Sequence, residues 1–158
     1  MTNANGAIRN VNFIALWDGF AWERLGRGVN GAVTTIAPSF DLNRIFVGGE
    51  FNEATNFDLT RKPANYIAVY NRAYHPNFAL EWDVFGSGVN GSVNIIVPLR
   101  PCPPGSASEV LPVGGRFNQA GNKNARGLAK WKYRATTPAP IGISLGIDDI
   151  GRSSRGSR

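Results

Sequence analysis

The stretch Trp22-Glu23-Arg24-Leu25-Gly26-Arg27-Gly28-Val29-Asn30-Gly31 returns as Trp82-Asp83-Val84-Phe85-Gly86-Ser87-Gly88-Val89-Asn90-Gly91, with Val33 and Ile36 matched by Val93 and Ile96. Working outward on both sides, two more blocks repeat. Asn12-Phe13-Ile14-Ala15-Leu16-Trp17 returns as Asn65-Tyr66-Ile67-Ala68-Val69-Tyr70 and again, degraded, as Arg126-Gly127-Leu128-Ala129-Lys130-Trp131. Val47-Gly48-Gly49-Glu50-Phe51-Asn52-Glu53-Ala54 returns as Val113-Gly114-Gly115-Arg116-Phe117-Asn118-Gln119-Ala120. The offsets from Trp17 to Tyr70, Trp22 to Trp82 and Gly48 to Gly114 are 53, 60 and 66 residues, so length is added between blocks, at Arg72 to Leu80 and Leu99 to Glu109. Such growth belongs in surface loops, where extra chain costs little closure entropy.

Each unit reads as four strands, A to D: Phe13 to Trp17, Ala21 to Leu25, Ala32 to Ala37 and Arg44 to Gly48, then Tyr66 to Tyr70, Glu81 to Phe85, Ser92 to Val97 and Glu109 to Val113. Asp18-Gly19 is a hairpin signal between A and B. Asn30-Gly31 and Asn90-Gly91 predict tight turns from B to C, because a type I′ turn needs positive φ at both central residues. Four short antiparallel strands in a unit of this length form the blade of a β-propeller. The expected fold is therefore all-β: two four-stranded antiparallel propeller-type blades, a lone third-blade strand and an extended C-terminal tail. Repeat 1 covers 12–64, repeat 2 covers 65–125 and the orphan strand 126–133, so that 1–133 is an incomplete propeller and 134–158 a Pro-containing linker and basic tail.

The order Val-Gly-Gly-x-Phe, Ile-Ala-x-Trp-Asp-Gly and Trp-x-x-Leu-Gly-x-Gly-Val-Asn-Gly resembles the kelch-related propeller repeats of fungal cortical polarity-marker proteins and many bacterial surface proteins. The resemblance covers residues 12 to 133. It implies that Gly48, Gly49, Gly114 and Gly115 let backbones approach closely, while Trp17, Trp22, Tyr70, Trp82 and Trp131 pack between neighbouring blades. The chain departs from the family in blade number, since propellers close with about four to eight. A repeat unit cannot bury its apolar face alone, so the expectation is that copies join, three chains making six blades for example, or that the module docks within a larger particle. A fragment of a longer propeller is the remaining alternative.

A chain of 158 residues suits one domain, and its 19 Gly and 10 Pro favour short strands over helices. No apolar run approaches the roughly 18 residues of a membrane span, and the first residues lack a signal peptide's basic and apolar regions. Cys102 is the single cysteine, so an intrachain disulfide is excluded. The net charge of +6 points weakly to anionic partners; its positive residues are scattered apart from Lys123, Arg126, Lys130, Lys132 and Arg134, and from Arg152, Arg155 and Arg158 in the tail. Pro138-Ala139-Pro140 reads as a stiff linker, and Ile141 to Ile150 as a weakly alternating strand.

Chemistry is not evident. Gly26 to Gly31 and Gly86 to Gly91 match a dinucleotide fingerprint in spacing, but the fingerprint requires a helix next and the residues that follow, Ala32 to Ile36, are strand-like. His75 is the only histidine, so no His-rich metal site or Ser-His-Asp arrangement with spare partners can be assembled. Asp148-Asp149 point to opposite faces if extended, and Asp18, Asp41, Asp58 and Asp83 share no calcium-loop pattern. No catalytic residue, cofactor or metal ligand is therefore expected. The leading expectation is a non-enzymatic structural or assembly module making protein contacts in a virus particle or surface layer, with Tyr74, His75 and Phe78 as a partner-contact loop and Arg152, Arg155 and Arg158 as a basic contact tail. A glycan-binding propeller is the alternative, and non-specific anion or nucleic-acid binding comes third.

Overall fold

The computed structural model describes residues 11–72, 80–100, 108–134 and 145–146, and among these every regular element is a strand. In the first half run β1 (Ala15–Trp17), β2 (Trp22–Arg24), β3 (Gly28–Val29), β4 (Ala32–Pro38), β5 (Arg44–Glu50), β6 (Glu53–Thr55), β7 (Arg61–Pro63) and β8 (Ile67–Asn71). Then follow β9 (Glu81–Val84), β10 (Ser92–Ile96), β11 (Ser108–Arg116), β12 (Gln119–Ala120), β13 (Lys123–Asn124), β14 (Leu128–Arg134) and β15 (Leu145–Gly146). They pair antiparallel into a β1-β2 hairpin and two four-stranded sheets, in the orders β4-β5-β8-β9 and β10-β11-β14-β15.

This order corrects the grouping of A to D in one sheet. Strands C and D of one repeat pair with A and B of the next: β5 runs against β8 from Arg44↔Asn71 to Gly48↔Ile67, and β8 against β9. The physical reason lies in the connections. The passage from D to A is fastened by backbone bonds, Gly49 N to Tyr66 O and Tyr66 N to Phe51 O. The passage from B to C instead swings the chain to a new sheet through left-handed glycines, Gly26, Gly28, Gly86 and Gly88. Likewise the segment expected as an orphan strand is not alone: β14 pairs with β11 from Ser108↔Arg134 to Gly114↔Leu128, and on its other side with β15, inside the stretch read as a possible strand.

The turn readings also shift. The first hairpin closes on Asp18 and Ala21, with Gly19 and Phe20 as its two-residue loop and Gly19 holding the positive φ. Asp18 Oδ1 accepts from the amides of Phe20 and Ala21. Asn30-Gly31 and Asn90-Gly91 are not I′ turns, for none of the four has positive φ. Each asparagine works through its side chain instead. Asn30 Oδ1 accepts from the amides of Asn52 and Glu53 while its Nδ2 donates to Asn52 Oδ1 at 2.6 Å. Asn90 does the same with Asn118 and Gln119. These pins hold the B-to-C passage to the D-to-A passage, which pair as β3-β6-β7 in the first repeat and as β12-β13 with the bridge Val89↔Ala120 in the second.

Alternation along the central sheet divides its side chains between two cores. Ile45, Val47, Ala68, Tyr70 and Trp82 face the first hairpin, joining Ile14, Leu25 and Val29. Phe46, Ile67, Val69 and Phe85 face the third sheet, meeting Val93, Leu111, Val113 and Trp131. A sheet buried on both faces reads as a continuous apolar run, as Ile45-Phe46-Val47 and Ile67-Ala68-Val69-Tyr70 do. Thr34 Oγ1 adds a bond to the Val93 carbonyl across the sheets.

Candidate functional site

The five aromatics expected between blades divide into buried and open copies. Trp82 is fully buried, with Nε1 donating to the Leu25 carbonyl at 2.8 Å and its ring edge-on to Tyr70 at 5.1 Å. Burial raises the Tyr70 hydroxyl above its ordinary pKa, against a hydrogen bond with the Gly26 backbone. Trp131 is buried beside Phe85, 6.2 Å away. Trp17 and Trp22 occupy the repeat positions of Tyr70 and Trp82 and pack at a tilt with ring centroids 5.3 Å apart, yet Trp17 is 49% exposed. The far side of the third sheet is open in the same way: Leu128 is 39% exposed where its equivalent Ile67 is 1%, and Val97 is 41% exposed where Ala37 is 5%. Lys130 stands there at the position of the fully buried Val69.

The glycine pairs sit where backbones crowd. A Cβ on Gly49 or Gly115 would fall well inside 3.0 Å of the Ala32 or Ser92 carbonyl oxygen, beside the bulges of β4 and β10. One on Gly48 would strike Val93 of the next sheet, whereas the one close contact of a Cβ on Gly114 is the Ile95 side chain at 2.9 Å. Tyr74, His75, Phe78, Arg152, Arg155 and Arg158 lie outside the described residues, as do Cys102, Asp148 and Asp149.

Two cavities open on the end of the stack where the asparagine pins lie. The first, about 510 Å³, is bordered by Asn12, Phe13, Arg27, Asn30, Glu53 and Arg61, and Arg61 pairs with Glu53 at 3.7 Å. The second, a shallow depression of about 430 Å³ open to solvent, is lined by Asn90, Arg116, Phe117, Asn118, Arg126 and Gly127, with no acidic side chain. Sequence reading did not assemble either site. The signal available was the repeated Phe-Asn pair, Phe51-Asn52 and Phe117-Asn118.

No family model, curated protein or solved structure matches this chain. Its site must therefore be read from its own geometry. Among the described residues no group of three or more His, Cys, Asp and Glu is placed to hold a metal ion, and no helix is long and apolar enough to cross a membrane.

At the opposite end of the sheets a buried polar cluster fixes the third sheet to the central one. Glu109 Oε1 accepts from the Phe40 amide at 2.8 Å, while Oε2 is buried with no hydrogen-bond partner among the described residues. Burial lifts the Glu109 carboxyl above its usual range; the Phe40 bond and Arg44 oppose this and Asp41 adds to it. An acid whose pKa is higher folded than unfolded loses its proton first in the unfolded chain, so stability falls as pH rises from the usual glutamate range through the raised value. Glu109→Gln keeps an acceptor for Phe40 and removes the charge. The variant is expected to be more stable than the parent at pH 7, with the gap closing at pH 4 in urea titrations; a gap independent of pH would refute the assignment.

Proposed function

We propose that this chain is a non-enzymatic, kelch-like propeller-repeat module that assembles with copies of itself through the two outer flanks of its sheet stack. The observation that carries the reading is the Trp17–Trp22 pair: the same pair one repeat later, Tyr70–Trp82, is buried against a preceding sheet, while Trp17 remains half in water. The opposite flank supports it, because Val97 and Leu128 are exposed at positions that the central sheet buries. Tryptophans and aliphatic side chains at rigid strand positions are the kind of anchor on which interfaces concentrate their energy. Lys130 at the centre of the second flank favours a partner face that brings an acidic group to it.

Native mass measurement at micromolar concentration tests this. Multiples of 17.1 kDa are expected, and Trp17→Arg is expected to return the single chain with its strand signal intact in circular dichroism. A well-folded single chain from the parent sequence at that concentration would remove the proposal.

A further inference from the structure

The second end-face cavity carries an inference that does not depend on how the chain assembles. The repeat supplies an internal control, because every lining residue has a counterpart one unit earlier. Asn90, Phe117 and Asn118 match Asn30, Phe51 and Asn52 in kind, and both asparagine pairs make the same bonds. Two positions change charge: Arg116 replaces the acidic Glu50, and Arg126 replaces the neutral Asn65. The sixth lining residue, Gly127, replaces Tyr66, so the site exchanges a large ring for bare backbone as it goes from one negative charge to two positive ones.

Neither arginine has a structural task that accounts for it. Both are exposed, and neither side chain makes an ion pair or hydrogen bond among the described residues. Asn65, by contrast, donates from Nδ2 to the Ser87 carbonyl at 3.0 Å. The backbone deepens the contrast. Asn65 and Arg126 open equivalent turns, closed by Ile67 N to Ala64 O and Leu128 N to Ala125 O, with φ of 25° and 26°. Positive φ favours asparagine over any long side chain, so Arg126 holds a strained conformation with no local bond in return. Backbone strain of this kind clusters at functional positions.

The two arginines come together through the fold, not the sequence. Gly115 N donates to Gly127 O across the sheet, which brings Arg116 beside the Arg126 turn. Asn118 is held by its Oδ1, leaving its amino group to donate into the same space. Planar guanidinium forks with an amide donor match the oxygens of a tetrahedral oxyanion, and two positive charges balance a dianion.

We propose that the cavity lined by Arg116, Asn118 and Arg126 binds a dianionic oxyanion, a phosphate or sulfate group. The probe is inorganic phosphate, then sulfate, titrated into the full chain at constant ionic strength and followed by amide chemical shifts. Saturable shifts confined to residues 116–118 and 126–128 are expected, and Arg116→Glu or Arg126→Asn should each weaken binding about tenfold or more. A stronger response to phosphate or to sulfate then says which group the site prefers. Arg126→Asn carries a second readout: its urea midpoint should hold or rise while affinity falls, as relief of a strained functional residue requires. The proposal fails if chloride reproduces the shifts, if neither anion saturates, or if Arg126→Asn binds phosphate as the parent does.

Discussion

Trp82→Ala is expected to remove about 3–5 kcal/mol of folding stability, the range for truncating a large aromatic in a closed core. The ring has no exposure and bridges two sheets: its edge meets Tyr70 in its own sheet, and its Nε1 holds the Leu25 carbonyl of the preceding hairpin. Truncation leaves a cavity and strips that carbonyl of its partner, adding about 1 kcal/mol or more if water cannot replace it. Against a typical total of about 5–15 kcal/mol, this shifts the urea midpoint severely or unfolds the chain at room temperature. Trp82→Phe should recover much of the packing but not the hydrogen bond. Trp17→Ala is the contrast within the same molecule, a tryptophan at the equivalent of Tyr70 but 49% exposed. Under dilute conditions it should cost less than about 1 kcal/mol. Equal losses at the two sites would show that the first hairpin is as enclosed as the central sheet, contrary to the packing described above.

The repeat was legible in the sequence because its period is carried by residues whose packing is repeated. The strand positions Ala32 to Ala37, Arg44 to Gly48, Glu81 to Phe85 and Glu109 to Val113 all fall in strands of the two four-stranded sheets, apart from Phe85, which follows the end of β9. The phase of the sheet was not legible, since A, B, C and D in cyclic order satisfy the same pattern wherever counting begins. Only hydrogen bonds decide it, and those between Gly49 and Tyr66 or Gly115 and Gly127 join residues that no local propensity relates. The Asn-Gly pairs misled for a specific reason: the turn signal assumes the backbone uses the asparagine, whereas here its amide is a cross-loop clamp. Gly31 is small because a Cβ there would run into the Glu50 carbonyl. The left-handed Phe13 and Tyr66, with φ of 64° and 68°, were beyond reach, because large side chains normally argue against that conformation. The arginine site was half visible. Arg126 is one of five clustered positive residues in the sequence, but its companion Arg116 is a neighbour only once β11 and β14 have paired.

Gly49→Ala and Gly115→Ala are expected to cost about 3 kcal/mol or more each, because the added methyl meets backbone that cannot step aside. In both cases the obstacle is a carbonyl oxygen of the adjacent C strand, at a bulge whose register would have to change to admit the new atom. The neighbouring glycines make a sharper test, since they occupy one repeat position on two different surroundings. Gly48→Ala drives a methyl into Val93, which is fully buried in the next sheet, and should cost about 1–3 kcal/mol through overpacking. Gly114→Ala meets the Ile95 side chain, which is more than half exposed and free to turn, so the loss should stay below about 1 kcal/mol. That difference holds only while the flank beyond Gly114 is open. If copies of the chain cover it, Gly114→Ala should leave the urea midpoint of the dilute single chain nearly unchanged and still weaken the assembly in native mass spectra. Equal damage from Gly48→Ala and Gly114→Ala in the dilute single chain would mean that the flank is already packed, and the account of two bare faces would fall with it.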